Sequence, residues 1–259
     1  MKRDMIKIGD IDLELHEAGE GPPLLLLHSG QGFSPDDPYV GMLAKHYRVI
    51  APSHPGFGYS SLPEWMDAID DIAHVYVALI DRLDLPSIHI VGCSIGGWIA
   101  AEIATKIMRR IDKLIVVGPE GVKTGRRDEL DIPDIFAVSQ EAMNRMRFHD
   151  PVKAHVDLSK LSQEQMRVIA RNAETLSLLV WEPYMHNPKL RHRLHCLTMP
   201  TLFLRGASDG LVTADYLERY AALVPGALIE TIPEAGHLPH IERPEAFVAA
   251  VTSFFGRGA

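Results

Sequence analysis

Ile88-His89-Ile90-Val91-Gly92-Cys93-Ser94-Ile95-Gly96-Gly97-Trp98-Ile99 changes periodicity partway along its length. Ile88–Val91, apolar except at His89, is a run of strand length. Ile99, Ile103 and Ile107 then recur every four residues, the spacing of one face of a helix. Between the two, glycines crowd a serine. A strand that turns straight into a helix leaves no room for side chains beside the turn, and glycine tolerates the strained backbone. The helix start also directs its free N–H groups toward the serine. This strand, sharp turn and helix is the setting in which G-x-S-x-G presents a serine as a nucleophile. By itself the motif equally describes a tight glycine turn with an idle serine, so the partners decide.

Working outward, the strand pattern repeats. Met5–Ile8 and Ile11–Leu15 predict a hairpin around Gly9-Asp10. Leu24–Leu27 and Leu114–Val117 are continuous apolar runs, and Tyr47–Ala51 is apolar apart from Arg48, as expected of strands buried on both faces. Thr201–Arg205 and Ala227–Ile232 complete a set of eight. Helical periods lie between them, with Ile72, Tyr76, Leu79, Ile80 and Leu83 on one face. The alternation predicts an α/β fold with a mostly parallel eight-stranded sheet, flanked by helices through right-handed crossovers. From Glu120 to His195 the strand signal is replaced by helical patterns: Met143 and Met146, then Leu161, Val168, Ile169, Leu176, Leu179 and Val180. Residues 1–119 and 196–259 therefore form the two parts of one α/β core, and 120–195 a helical cap inserted after the sixth strand. Such insertions sit over the carboxyl ends of the strands, where ligands bind. The chain closes with an amphipathic helix that starts near Pro244 and buries Phe247, Val248, Val251, Phe254 and Phe255.

Bulk properties bound the function. The 259 residues are 46% hydrophobic and 23% charged, ordinary values for a globular protein. A net charge of −8 argues against nucleic acid as a partner. Two cysteines, Cys93 and Cys196, make no disulfide framework and fit no zinc spacing. The N-terminus lacks the apolar core of a signal peptide, and no apolar run is long enough to span a bilayer. A cytoplasmic protein without membrane insertion is expected, and both a monomer and a homodimer are compatible with the chain.

A serine hydroxyl needs a base. Among thirteen histidines, His237 stands out in Glu234-Ala235-Gly236-His237-Leu238-Pro239, a loop after the last predicted strand. His240 is its nearest rival but has no glycine before it. The base needs an orienting acid, and Asp209 in Gly206-Ala207-Ser208-Asp209 follows a strand end. The chain order Ser, Asp, His is that of this strand–helix architecture. For the oxyanion, the Ile95 N–H is one donor. The loop His28-Ser29-Gly30-Gln31-Gly32 supplies the other, from Gly30 with Ser29 as second choice. His28 braces that loop. No metal and no organic cofactor is required.

These motifs together make the sequence resemble the α/β-hydrolase superfamily in its capped, esterase-like form, over nearly the whole chain. His28–Gly32 resembles the H-G-x-x-G oxyanion loop, with Ser29 in place of the usual glycine. Ala51-Pro52-Ser53-His54-Pro55-Gly56-Phe57-Gly58-Tyr59-Ser60 resembles the A-P-D-x-P-G-x-G-x-S turn, with Ser53 in place of aspartate. The resemblance implies a serine hydrolase acting on a small carboxylic ester, lactone or thioester. Serine at 94 argues against the epoxide hydrolase and haloalkane dehalogenase branches, which use aspartate. Hydrolases of carbon–carbon bonds in ring-cleavage products usually carry G-N-S-x-G-G and a tryptophan after the histidine. Cys93 and Leu238 stand there instead, so that branch is the alternative. A slow-hydrolysing ligand sensor signalling through its cap is a third. Trp181, Tyr184 and His186, with Leu238, are the candidate substrate contacts, Asn187 a further polar one, and Trp181 could equally just pack the cap onto the core. Arg126, Arg127 and Arg191-His192-Arg193 could attract an acidic substrate or form a solvated face.

Overall fold

The computed structural model describes residues 1–154 and 158–257. Eight strands appear in chain order: β1 (Lys2–Ile8), β2 (Ile11–Ala18), β3 (Pro23–Leu27), β4 (Arg48–Pro52), β5 (Ile88–Cys93), β6 (Ile111–Val117), β7 (Thr201–Gly206) and β8 (Leu228–Ile232). They form one sheet in the order β1-β2-β4-β3-β5-β6-β7-β8. β2 pairs antiparallel with both β1 and β4. Every other pairing is parallel.

The helices are α1 (Pro38–Leu43), α2 (Ile69–Arg82), α3 (Ile95–Ile107), α4 (Gln140–Arg147), α5 (Gln163–Val180), α6 (Ala214–Ala221), α7 (Pro239–Glu242) and α8 (Pro244–Gly256). The predicted apolar runs explain how they cover the sheet. Along β3 the side chains alternate: Leu25 and Leu27 pack with Ile72, Tyr76, Ile99 and Ile103 from α2 and α3. Leu24 and Leu26 pack with Val40, Phe247 and Val251 from α1 and α8. Strand periodicity of two thus feeds two separate cores from one run of leucines. Each buried leucine contributes about 1.5–3 kcal/mol.

α4 and α5 lie between β6 and β7. Ser162 caps α5 reciprocally with Gln165: its hydroxyl accepts the Gln165 N–H at 3.2 Å, and Gln165 Oε1 accepts the Ser162 N–H at 2.9 Å. The buried residues of α5, Asn172, Thr175, Leu176, Leu179 and Val180, lie in its C-terminal half. Ile169, expected on the inward face, is exposed, since it lies in the N-terminal half of the helix, where no residue is buried. Among the described residues no helix is long and apolar enough to cross a membrane.

Candidate active site

Ser94 stands alone between the end of β5 and the first residue of α3. Its backbone, at φ 55° and ψ −123°, lies where L-residues are strained by on the order of 1–3 kcal/mol. Close packing enforces that turn. A Cβ on Gly92 would lie 2.1 Å from the Gly96 carbonyl oxygen, and one on Gly96 would lie 2.4 Å from that of Leu27. Both positions therefore admit only glycine. The Ile95 N–H, first in α3, has no acceptor within the helix.

Asp209 follows β7. Its Oδ1 accepts the N–H groups of Leu211 and Val212, each at 2.9 Å, which fixes the carboxylate. Its Oδ2 lies 3.0 Å from His237 Nδ1. That contact places the ring proton on Nδ1 when His237 is neutral and leaves Nε2 unprotonated on the other side of the ring. The His237 loop is held from the other side. Its N–H donates to the Arg147 carbonyl at 2.7 Å, at the end of α4. The Gly236 N–H donates to Glu242 Oε2 at 2.6 Å, and the same carboxylate accepts the His149 and Asp150 N–H groups. The insertion and the histidine loop are thus stitched through one acid.

Glu120, three residues past the end of β6, enters this group. The Ser94 hydroxyl donates to Glu120 Oε1 at 2.9 Å, and His237 Nε2 has no hydrogen-bond partner. The same Glu120 oxygen is 3.5 Å from His237 Nε2. Glu120 Oε2 is buried with no partner. Burial disfavours the His237 cation, yet Asp209 first and then Glu120 outweigh it and raise the imidazole from 6.5 to about 10. Arg147 is the facing cation. Burial lowers its pKa, and the Glu120 charge opposes that.

The cavity above Ser94 is about 20 Å³, room for about one water molecule. Gly30, Ile95, Glu120, Arg147 and His237 line it, with Leu176 of α5 among its apolar walls. Ser29 is buried beside Gly30, and its carbonyl accepts from His28 Nδ1 at 2.7 Å. His28 Nε2 in turn accepts the His54 N–H at 2.9 Å, so His28 does brace the loop. Ser53 donates to Glu14 Oε2 at 2.7 Å, bracing the neighbouring turn. His240 points elsewhere, packed between Tyr39 and Phe247.

The structure therefore brings together Ser94, Asp209, His237, Ile95 and Gly30. It does not bring the expected substrate contacts to them. Trp181, Tyr184 and His186 line a separate outer cleft of about 800 Å³. Trp181 is exposed there, and the Tyr184 hydroxyl donates to the Pro133 carbonyl at 2.6 Å. Asn187 donates to Glu102 Oε1 at 2.7 Å, tying the insertion to α3. Leu238 is buried at the start of α7. Arg126 pairs with Asp128 on the surface, and Arg193 with Asp70. Sequence reasoning passed over Glu120 and Arg147. Glu120 carried a usable signal, since it follows a parallel strand at the sheet's carboxyl edge. Arg147, inside the insertion, carried none.

Residues 24–250 match the Alpha/beta hydrolase family, and the chain belongs to it. It is similar to a 2-hydroxy-6-oxo-2,4-heptadienoate hydrolase of Pseudomonas putida, 24% identical, over 96% of this chain and 95% of that one. It is also similar to a pimeloyl-[acyl-carrier protein] methyl ester esterase of Vibrio vulnificus, 27% identical, over 95% of this chain and 99% of that one. Among solved structures, the carboxylesterase CesB of Bacillus subtilis superposes with a TM-score of 0.76 at 23% identity, over 100% of this chain and 92% of that one. The relatives thus include both a dienoate hydrolase and a methyl ester esterase.

Proposed function

We propose that this α/β hydrolase cleaves carboxylic esters, lactones or thioesters by acyl transfer through Ser94, His237 and Asp209. The observation that carries this reading is the 3.0 Å contact of Asp209 with His237 beside a serine held in a strained turn. Ser94 Oγ attacks the carbonyl carbon as His237 Nε2 takes its proton. Asp209 stabilises the imidazolium that forms. The N–H groups of Ile95 and Gly30 receive the oxyanion, each worth about 3 kcal/mol of barrier. His237 then protonates the leaving oxygen as the carbon–oxygen bond breaks. Water repeats the attack on the acyl-enzyme, releasing the acid and restoring Ser94.

Residues 120–195 act as a cap in this reading, and residues 155–157 within it lie outside the described set. An ester does not fit into 20 Å³, so turnover requires Glu120 or the apolar wall to move. Ser94→Ala is expected to lower kcat on a p-nitrophenyl ester by on the order of 10⁶. Near-normal turnover by that variant would refute the mechanism.

The second reading, hydrolysis of a carbon–carbon bond in a ring-cleavage product, draws on similarity to a dienoate hydrolase and a semialdehyde hydrolase. A panel of aryl esters, a lactone and a ring-cleavage dienone separates the two by kcat/KM. Multiple turnovers on any of them would set aside the slow-hydrolysing sensor.

A further inference from the structure

Glu120 is 2% exposed, and nothing in the acyl-transfer scheme uses it. A buried carboxylate normally accepts a donor at each oxygen, and one left bare is costly. Oε2 is bare here. The other oxygen, Oε1, sits 2.9 Å from the nucleophile and 3.5 Å from His237 Nε2. The point between nucleophile and base is where a leaving oxygen must pass to collect its proton. The groups facing Glu120 are Ser94 from the elbow, His237 from its loop and Arg147 from α4. Asp209 lies behind His237. Arg147 attracts Glu120 through space, and Oε2 still has no donor.

We propose that Glu120 is a specificity-determining residue that selects esters whose leaving group carries a protonated amine. An ammonium N–H entering on the leaving-group side supplies the missing donor and satisfies the carboxylate with opposite charge. A neutral alkyl group of the same shape strips water from Glu120 and returns nothing. A carboxylate there meets like charge in a low-dielectric cavity. The inference depends on the serine-hydrolase reading and extends it to a substrate class.

The test compares three butyrate esters at pH 7: 2-(dimethylamino)ethyl, its uncharged isostere 3-methylbutyl, and 2-carboxyethyl. The wild-type protein is expected to favour the first over the second by at least about tenfold in kcat/KM, and the third least, as one charged hydrogen bond would give. Glu120→Gln should bring the first ratio to within about twofold of unity, and Glu120→Asp should keep part of the preference. If Glu120→Gln does not fold, inhibition of the wild-type protein by 2-(dimethylamino)ethanol and by 3-methylbutanol reads the same preference, with the amino alcohol expected to bind more tightly. Equal use of the first two esters, or a preference unchanged in Glu120→Gln, overturns the inference and leaves the Ser94 mechanism standing. Hydrolysis that persists in Ser94→Ala overturns the underlying reading instead.

Discussion

Replacing Glu120 by glutamine should move the pH dependence of turnover, and the direction follows from the geometry. A general base works only when unprotonated, so kcat/KM rises with pH through the pKa of the free protein's histidine. With Asp209 and Glu120 both against it, His237 has its pKa at about 10. The wild-type rising limb should therefore extend to strongly alkaline pH. The Glu120 carboxylate lies 3.5 Å from Nε2. At an effective dielectric near 20, unit charges that far apart attract by about 5 kcal/mol, or roughly 3.5 pKa units. Relaxation of the freed space takes part of this away, leaving an expected drop of about 2 units. Arg147, no longer opposed, pushes in the same direction. The assay is the initial rate of p-nitrophenyl acetate hydrolysis from pH 6 to pH 10.5, corrected for the alkaline background. Rising limbs that coincide within about half a unit would show that Glu120 does not govern the base. Stability follows the same sign. A histidine whose folded pKa is raised stabilises the fold fully below 6.5 and loses that contribution as pH climbs toward 10, and Glu120→Gln should flatten this decline.

Asp209→Asn keeps the shape but removes the charge that orients the imidazole, and should lower kcat by about 10⁴ at neutral pH; a loss below about tenfold would remove Asp209 from the mechanism. Gly96→Ala places a methyl group 2.4 Å from the Leu27 carbonyl oxygen and 2.5 Å from that of His28. Backbone on both sides cannot yield cheaply, so urea unfolding should show a loss of about 3 kcal/mol, and an unchanged midpoint would mean that the turn is looser than the geometry implies.

The strands were legible because each carries its own local pattern. Leu24–Leu27 is buried on both faces, and that makes it a continuous apolar run; Ile88–Val91 is apolar except at half-buried His89. Boundaries shifted by a few residues: β6 begins at Ile111 and not Leu114, since Asp112 and Lys113 break the apolar run, while Ile111 and Lys113 still pair with Ile88 and His89 across a register shift at Asp112. The turn holding Ser94 was legible for a similar reason, because glycine at 92 and 96 answers a steric demand that any homologous turn would make.

What the sequence determined by itself was a mostly parallel sheet of eight strands and the positions where chemistry-bearing residues stand after strand ends, while the order of the strands within the sheet came from the structure. Asp209 and His237 were visible because each stands in a loop that follows a strand of the sheet. Only the tertiary structure decided what lies between them. Glu120 and Arg147 converge on the cavity from segments 27 residues apart in number, while Trp181, Tyr184 and His186 turn to an outer cleft. The physical reason is that periodicity records which face of an element is buried, whereas the direction of a side chain outside the sheet depends on what packs against it. The insertion between β6 and β7 sets that packing, and its helices carry no alternation that ties them to the strands below.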